Sequence, residues 1–238
     1  MMLFLLFLHS KFDVEKTYER LAGIDREKVE IIQKSKGEFV LSIDSDMSLR
    51  NNVIEQCIKQ IHKNKKIGAV IIPERSIGDN FWVKVRDFER SFYADTQIES
   101  ARFFKKELIK KVGGYDENLV FFEESTLPQK IEKIGYNVKA RIDAEILHHE
   151  ELVISKWMKK KYYYGKSAQK YKEKYNKYLY EQTNIFYRYS IFLKNKRFYS
   201  KPIIAFGLII LKFLEYTSAG IGYLIGKKNL KKQLKASK

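Results

Sequence analysis

The apolar run Phe39-Val40-Leu41-Ser42-Ile43, closed by Asp44-Ser45-Asp46, constrains this chain more than any other segment. A nearly unbroken apolar run after Gly37 reads as a buried strand. Two carboxylates one residue apart, just past the C-terminal edge of that strand, are well placed to hold a divalent metal through oxygen ligands. A metal there neutralises a diphosphate and so makes a nucleotide diphosphate a good leaving group. Alone, an Asp-x-Asp is more often a solvated turn or a cap. The rest of the chain adds to its weight.

Helical and extended patterns alternate around this strand. Residues 14–34 read as a helix with Leu21, Ile24, Val29 and Ile32 as its apolar positions. Residues 50–64 read as a helix with Val53, Ile54, Cys57, Ile58 and Ile61 on one face. Ile67 to Ile72 is a second buried strand, ended by Pro73. An amphipathic helix over 80–93, a short strand over 101–104 and a short helix over 107–112 follow, the last stopped by Gly113-Gly114. Residues 124–134 form another helix ending near Gly135, and 137–147 are extended. Strands alternating with helices imply an α/β sheet with helices on its faces.

The apolar start, Met1 to Leu8, is far short of the roughly 20 residues that span a bilayer. It lacks the basic region and cleavage site of a signal peptide and reads as a buried strand. One cysteine, Cys57, excludes a disulfide framework and a cysteine-based metal site.

Charge divides the chain. Residues 1–150 carry 25 Lys+Arg and 25 Asp+Glu, whereas 151–238 carry 21 and 4, so the whole excess of +17 lies in the second part. A neutral globule over 1–150 is followed by a basic, Tyr/Lys-rich helical linker over 151–201 and an apolar segment with a basic tail over 202–238. The partner of the basic extension is anionic, a membrane surface or a nucleic acid. Only Lys212 and Glu215 interrupt the apolar stretch 202–226, and their i,i+3 spacing allows them to pair on one helix face. Pro202 and four glycines weaken a continuous helix there, which favours one or two helices lying in the membrane interface, or a hairpin, over a single span.

A second acidic cluster is Glu123-Glu124, at a helix start where exposed N–H groups favour negative charge. Its bland reading is helix capping; its chemical reading is a general base that takes a proton from an acceptor hydroxyl. His148-His149 follows the extended segment. Histidine pairs mostly serve packing or hydrogen bonding, but here an imidazole, His148, is a candidate to complete a metal shell begun by Asp46. Trp157 and Tyr162-Tyr163-Tyr164 read as core or interfacial aromatics.

Taken in order, Gly37 to Asp46, Arg102-Phe103-Phe104-Lys105-Lys106, Val112-Gly113-Gly114-Tyr115-Asp116-Glu117, Glu123-Glu124-Ser125-Thr126-Leu127 and Gly135-Tyr136 resemble the family 2 glycosyltransferases with the GT-A fold. The match runs from about residue 18 to about residue 170. The resemblance implies a GT-A-like, Rossmann-like mixed sheet flanked by helices. It also implies inverting sugar transfer from a nucleotide-sugar donor to a glycan or lipid-linked acceptor. Asp44 and Asp46 match the family's Asp-x-Asp, with Mg²⁺ or Mn²⁺ as the implied ion and Asp46 as the better ligand. Gly113, Gly114 and Asp116 match the segment beside the donor and acceptor sugars. Glu123 and Glu124 match a Glu-Asp pair whose second member is the catalytic base, so Glu124 stands one methylene longer than the usual Asp. Arg20 and Arg102 are candidates for contact with phosphate or acceptor.

Only 43 residues precede Asp44, and the family's nucleoside-binding strand and Pro-x-Tyr-Asn-like loop have no counterpart among them. The first βαβ unit is therefore expected to be truncated, as in a fragment, a misplaced start or a member with little activity. The apolar tail resembles membrane-associated members, which implies a peripheral or monotopic enzyme on the cytoplasmic face of the cell membrane. Two rival readings remain: an inactive remnant that keeps fold and tail, and a nucleic-acid-binding protein built on the Lys/Tyr-rich stretch. The latter explains the charge but not the acidic motifs or the apolar tail, so no nucleic acid is expected as partner.

Overall fold

The computed structural model describes the backbone of residues 4–8 together with residues 36–96, 98–116, 119 and 123–236. The helical reading of 14–34, and Arg20 with it, lies outside the described residues. The chain divides into two compact units. One comprises Met1–Ser76, Ala94–Asn118 and Phe122–His149; the other comprises Ile77–Tyr93, Leu119–Phe121 and Glu150–Lys238.

The first unit is a mixed α/β fold. The N-terminal apolar run forms β1 (Phe4–Leu8), parallel to β2 (Phe39–Asp44), with Phe4 opposite Val40 and Leu8 opposite Asp44. β3 (Met47–Leu49), helix α1 (Val53–Lys63), β4 (Ala69–Ile71) and β5 (Glu74–Ile77) follow. After the segment that belongs to the other unit come β6 (Phe103–Lys105), α3 (Lys106–Val112), α4 (Glu123–Lys133), β7 (Ala140–Arg141) and β8 (Ile146–His149). Helix α2 (Phe81–Arg90) is described with the second unit.

Five strands form the main sheet in the order β1-β2-β6-β4-β7, and β3-β8-β5 form a small one. β6 runs antiparallel to both β2 and β4, which makes the main sheet mixed. Alternation along β2 explains its unbroken hydrophobicity. Phe39, Leu41 and Ile43 join Val53, Cys57 and Ile61 of α1 on one side, while Val40 joins Phe104, Leu108, Leu127 and Ile131 on the other. Both faces are buried, so no position in the strand tolerates a charge until it ends at Asp44. Burial also pushes the Cys57 thiol up to about 12, so it is an inert core residue.

The second unit is helical: α2, α5 (Ile154–Thr183, kinked at Tyr175), α6 (Ile185–Leu193), a 3-10 turn at Lys196–Ser200 and α7 (Pro202–Ala236). The Lys/Tyr-rich stretch is thus mostly one long helix. Tyr171 and Tyr175 are buried within it, their rings stacked at 5.2 Å, and the Tyr171 hydroxyl donates to Gln182 Oε1 at 2.8 Å. Of the forms expected for the tail, the single helix is the one present: α7 is continuous, not two helices or a hairpin. Two of its glycines, Gly222 and Gly226, serve close packing with α5. A Cβ on Gly222 would run into the carbonyl oxygen of Tyr162, one on Gly226 into that of Lys166, and one on Gly165 of α5 into that of Ala219. The backbones of α5 and α7 therefore touch, as small residues four apart on a helix allow.

Lys212 and Glu215 do pair, at 2.5 Å, and both are buried. They belong to a wider seam. Lys212 also contacts Glu89 of α2, and Glu89 receives Arg86 at 2.8 Å and the Tyr93 hydroxyl. Glu215 accepts from Trp157 Nε1 at 2.6 Å and lies 3.6 Å from Lys161 Nζ. Burial alone would raise the Glu89 carboxyl, but the charges of Lys212 and Arg86 hold it well below the usual carboxylate range. Burial likewise works against the Glu215 carboxylate, and Lys161 and Lys212 outweigh it. Lys161 is brought down to about 8 by burial, against the pull of Glu215.

Both tryptophans, Trp82 and Trp157, lie in this unit, so their fluorescence reports its unfolding. Glu89→Ala leaves buried cations without their counter-charge and should lower its stability by about 3–5 kcal/mol in urea titration. The depressed carboxylates contribute stability that is present above their ordinary value of 4.5 and is lost as pH falls below it. Lys161 costs stability while it is charged, so its effect on the pH profile has the same sign. Between about 8 and 10.5 the unfolded chain binds the extra proton, so stability should rise with pH in that window and flatten in Lys161→Met.

Candidate functional site

The antiparallel pairing of β2 with β6 sets the site. Leu41 opposes Phe103, and the next rung is the Ser42 N–H donating to the Arg102 carbonyl at 2.8 Å. Arg102 is thereby held at the strand end where Asp44 emerges. Its Nε donates to Glu74 Oε1 at 2.5 Å, its Nη2 lies 3.7 Å from Asp44 Oδ2, and its Nη1 reaches the Ser42 carbonyl at 3.4 Å. Burial favours loss of its proton, but Glu74, then Asp44 and then Glu124, more than reverse this and raise its pKa. Glu124 therefore lies near enough for its charge to act on Arg102, although sequence places the two on different elements.

The pairing of β3 with β8 supplies the second half. Met47 opposes His148, and the His149 N–H donates to the Asp46 carbonyl at 2.8 Å. His148 Nε2 consequently lies 3.3 Å from Asp46 Oδ2, and its Nδ1 lies 3.8 Å from Glu74 Oε2. An alternating chain results: Asp46, His148, Glu74, Arg102, Asp44. The sequence-predicted Asp44, Asp46, His148 and Arg102 are all in it. Glu74, which sequence reasoning missed, is its centre. Nothing local marks Glu74, since it follows Pro73 like an ordinary loop residue and meets its partners only through the sheets.

The Gly-Gly loop is built by different rules. Gly113 and Gly114 have φ of 75° and 72°, where a side chain is strained. Their N–H groups cap the end of α3 on Lys110 and Ile109. Helix α4 then anchors the loop: Lys130 Nζ donates to the Gly114 carbonyl at 2.7 Å, and the Asp116 N–H donates to Thr126 Oγ1 at 3.3 Å. Asp116 is buried. Glu123 opens α4, and Glu124 is exposed in its first turn, with its carbonyl accepting from Ser100 Oγ at 2.9 Å.

Metal-binding capacity at the acidic edge is partial. Asp46 Oδ1 is buried and has no hydrogen-bond partner among the described residues. An imidazole beside that carboxylate, itself oriented by a second carboxylate at its other nitrogen, is a common arrangement around divalent metals. Among the described residues, however, no group of three or more His, Cys, Asp or Glu side chains is arranged to hold an ion unaided. Asp46 and His148 fit a cation whose remaining ligands come from water or a bound anion.

Solved structures similar to this chain include the following three. The mannosyltransferase PcManGT from Pyrobaculum calidifontis, in complex with GDP-Man and Mn²⁺, aligns over 87% of this chain and 58% of its own, at 16% identity and a TM-score of 0.48. S. aureus TarS 1-349 aligns over 98% of this chain and 82% of that one, at 9% identity and a TM-score of 0.40. A second structure of S. aureus TarS aligns over 94% and 49%, at 10% identity and a TM-score of 0.42. This chain thus spans 58% of the length of the mannosyltransferase it matches. No protein-family model matches it, and no curated protein matches it.

Arg102→Met would leave Glu74 and Asp44 facing each other without a cation. It should destabilise the first unit by about 1–3 kcal/mol, the scale of a partly buried charged hydrogen bond. Arg50→Ala removes a half-exposed partner of Glu145 and should cost less than about 1 kcal/mol. Far-UV circular dichroism in urea distinguishes the two.

Proposed function

We propose that the chain is a metal-dependent, inverting glycosyltransferase of the family 2, GT-A kind, moving a sugar from a nucleotide-sugar donor to a hydroxyl or phosphate acceptor. The observation that carries this reading is the unpartnered Asp46 Oδ1 beside His148, at the strand edge that also presents Asp44. Asp44, Asp46 and His148 would hold Mg²⁺ or Mn²⁺, with Glu74 3.8 Å from the other imidazole nitrogen. The ion, when bound, offsets the negative charge that gathers on the departing diphosphate. Arg102 keeps Asp44 and Glu74 in place from behind. Gly113, Gly114 and Asp116 form the loop against the donor and acceptor sugars, and Arg20 is a candidate for the donor phosphates.

Glu124, exposed in the first turn of α4, takes the proton of the acceptor hydroxyl. The oxygen freed in this way bonds to the anomeric carbon from the face opposite the diphosphate. The bond from that carbon to the diphosphate breaks, its electrons leave with the diphosphate, and configuration inverts. Glu123 remains the neighbouring carboxylate of the pair. The acceptor is a glycan or a lipid-linked group, and the enzyme works at the cytoplasmic face of the cell membrane. The basic excess beyond residue 150 and the long apolar helix support that location.

Transfer or hydrolysis of nucleotide sugars by the purified chain should need Mg²⁺ or Mn²⁺ and stop in EDTA. Asp46→Ala should remove most turnover while the circular dichroism spectrum stays unchanged. Glu124→Gln should lower kcat by about 10²-fold or more, the usual scale for a general base, with donor affinity retained in calorimetry. Full turnover in EDTA rules out the metal role, and damage from Glu123→Gln with a neutral Glu124→Gln moves the base to Glu123.

A further inference from the structure

Helix α7 is amphipathic in reverse. The only two charged residues between Pro202 and Gly226 are Lys212 and Glu215, and both are buried in the protein. The opposite face is apolar and open: Ile203 is 74% exposed, Phe206 and Phe213 65% each, and Leu224 67%. These positions, spaced by 3, 7 and 11 residues, fall on one side of a helix of 3.6 residues per turn. Phe206 and Phe213 are two turns apart, and Ile221 extends the stripe toward Leu224. Exposed apolar surface of this extent marks a binding face.

Charge sits at both ends of the stripe. Lys194, Lys196, Arg197 and Lys201 are exposed before it, and Lys227 and Lys228 are exposed after it. Tyr199, 64% exposed, stands in the turn among the first group. An apolar band with basic ends and an aromatic residue at one of them is complementary to a bilayer surface that carries anionic headgroups.

By length and composition, 202–230 is also able to cross a membrane. The seam argues against that. A crossing helix would carry Lys212 and Glu215 into hydrocarbon, away from Glu89, Trp157 and Lys161, and would separate the glycine contacts with α5. We propose that α7 is a monotopic docking helix that lies flat on an anionic bilayer through Ile203, Phe206, Phe213, Ile221 and Leu224, its rotation fixed by the buried Lys212–Glu215–Glu89 contacts. This deepens the proposed membrane location of the enzyme and rests on it only for what the enzyme is held against; the docking itself involves no sugar chemistry.

The test uses the full chain and two kinds of vesicle, phosphatidylcholine alone and phosphatidylcholine with phosphatidylglycerol. The chain should float with the anionic vesicles at low salt, weakly with the neutral ones. Phe206→Glu/Phe213→Glu should reduce flotation by at least about tenfold with unchanged circular dichroism, as expected for residues that face outward. Single Phe206→Trp, Phe213→Trp and Leu224→Trp variants should be quenched to a similar, shallow depth by brominated lipids after subtraction of the parent signal. Deep quenching at Phe213→Trp with shallow quenching at Leu224→Trp means a span and overturns the proposal. So does the absence of vesicle binding at low salt. A vesicle-free dimer that the double Glu variant dissolves, with no flotation of the parent, assigns the stripe to a second copy instead. Flotation without any transferase activity leaves the docking intact and removes the enzymatic reading; activity without flotation does the reverse.

Discussion

Arg102 is the residue on which the order of the acidic edge depends. A sheet edge that gathers Asp44, Asp46, Glu74 and a nearby Glu124 accumulates negative charge, which at close range is self-repelling. One guanidinium, inserted where β6 meets β2, converts the repulsion into an ordered chain by holding Glu74 and reaching Asp44. His148 extends the chain to Asp46. The fork of the guanidinium matters because it addresses several acceptors at once in fixed directions, which an ammonium does not. The mixed sheet exists in the form that brings this about: β6 must run antiparallel to β2 for Arg102 to arrive at the end of β2 that carries Asp44.

The helical unit applies the same physics to a different end. Lys212 on α7, Glu89 on α2, and Trp157 and Lys161 on α5 come from three helices, and Lys212 and Glu89 lose nearly all their water on packing. Buried charges so arranged contribute little net stability compared with an apolar seam, but removing one partner is severe, so they select one arrangement sharply. Their effect is on rotation. With Lys212 and Glu215 inward beside Leu208 and Leu211, the stripe of Ile203, Phe206, Phe213 and Leu224 is left facing outward.

Glycine shows how the same residue supports opposite inferences. Within a segment, four glycines and a proline argue for interruption, because each lowers helix propensity. In the folded unit, Gly222 and Gly226 are the positions where the α5 backbone comes closest, and Gly165 answers from the other helix. The packing contact outweighs the propensity term, and the helix continues to Ala236.

Much of the first unit was legible from local pattern. Phe39 to Ile43 reads as a buried strand, residues 50–64 as a helix whose apolar face includes Val53, Cys57 and Ile61, and Gly113 and Gly135 as helix ends, because these signals act within a few residues. The Asp44-Ser45-Asp46 turn and the i,i+3 pairing of Lys212 with Glu215 were legible for the same reason. The short strands β3 and β5 were not, since three or four residues carry too little periodicity to announce a strand. Glu74 and Glu89 were not either: one is 28 residues from Arg102, and the other meets Lys212 only when α2 packs on α7. The sequence by itself determined which of the longer segments are strand or helix, where the acidic residues stand along the chain and that its basic excess follows residue 150, all short-range or compositional properties. Only the tertiary structure decided which carboxylates share Arg102, which one carries an unpartnered oxygen beside His148, and which face of α7 is left to the outside. Those depend on desolvation and charge pairing between distant segments, and neither has a value until the segments have packed.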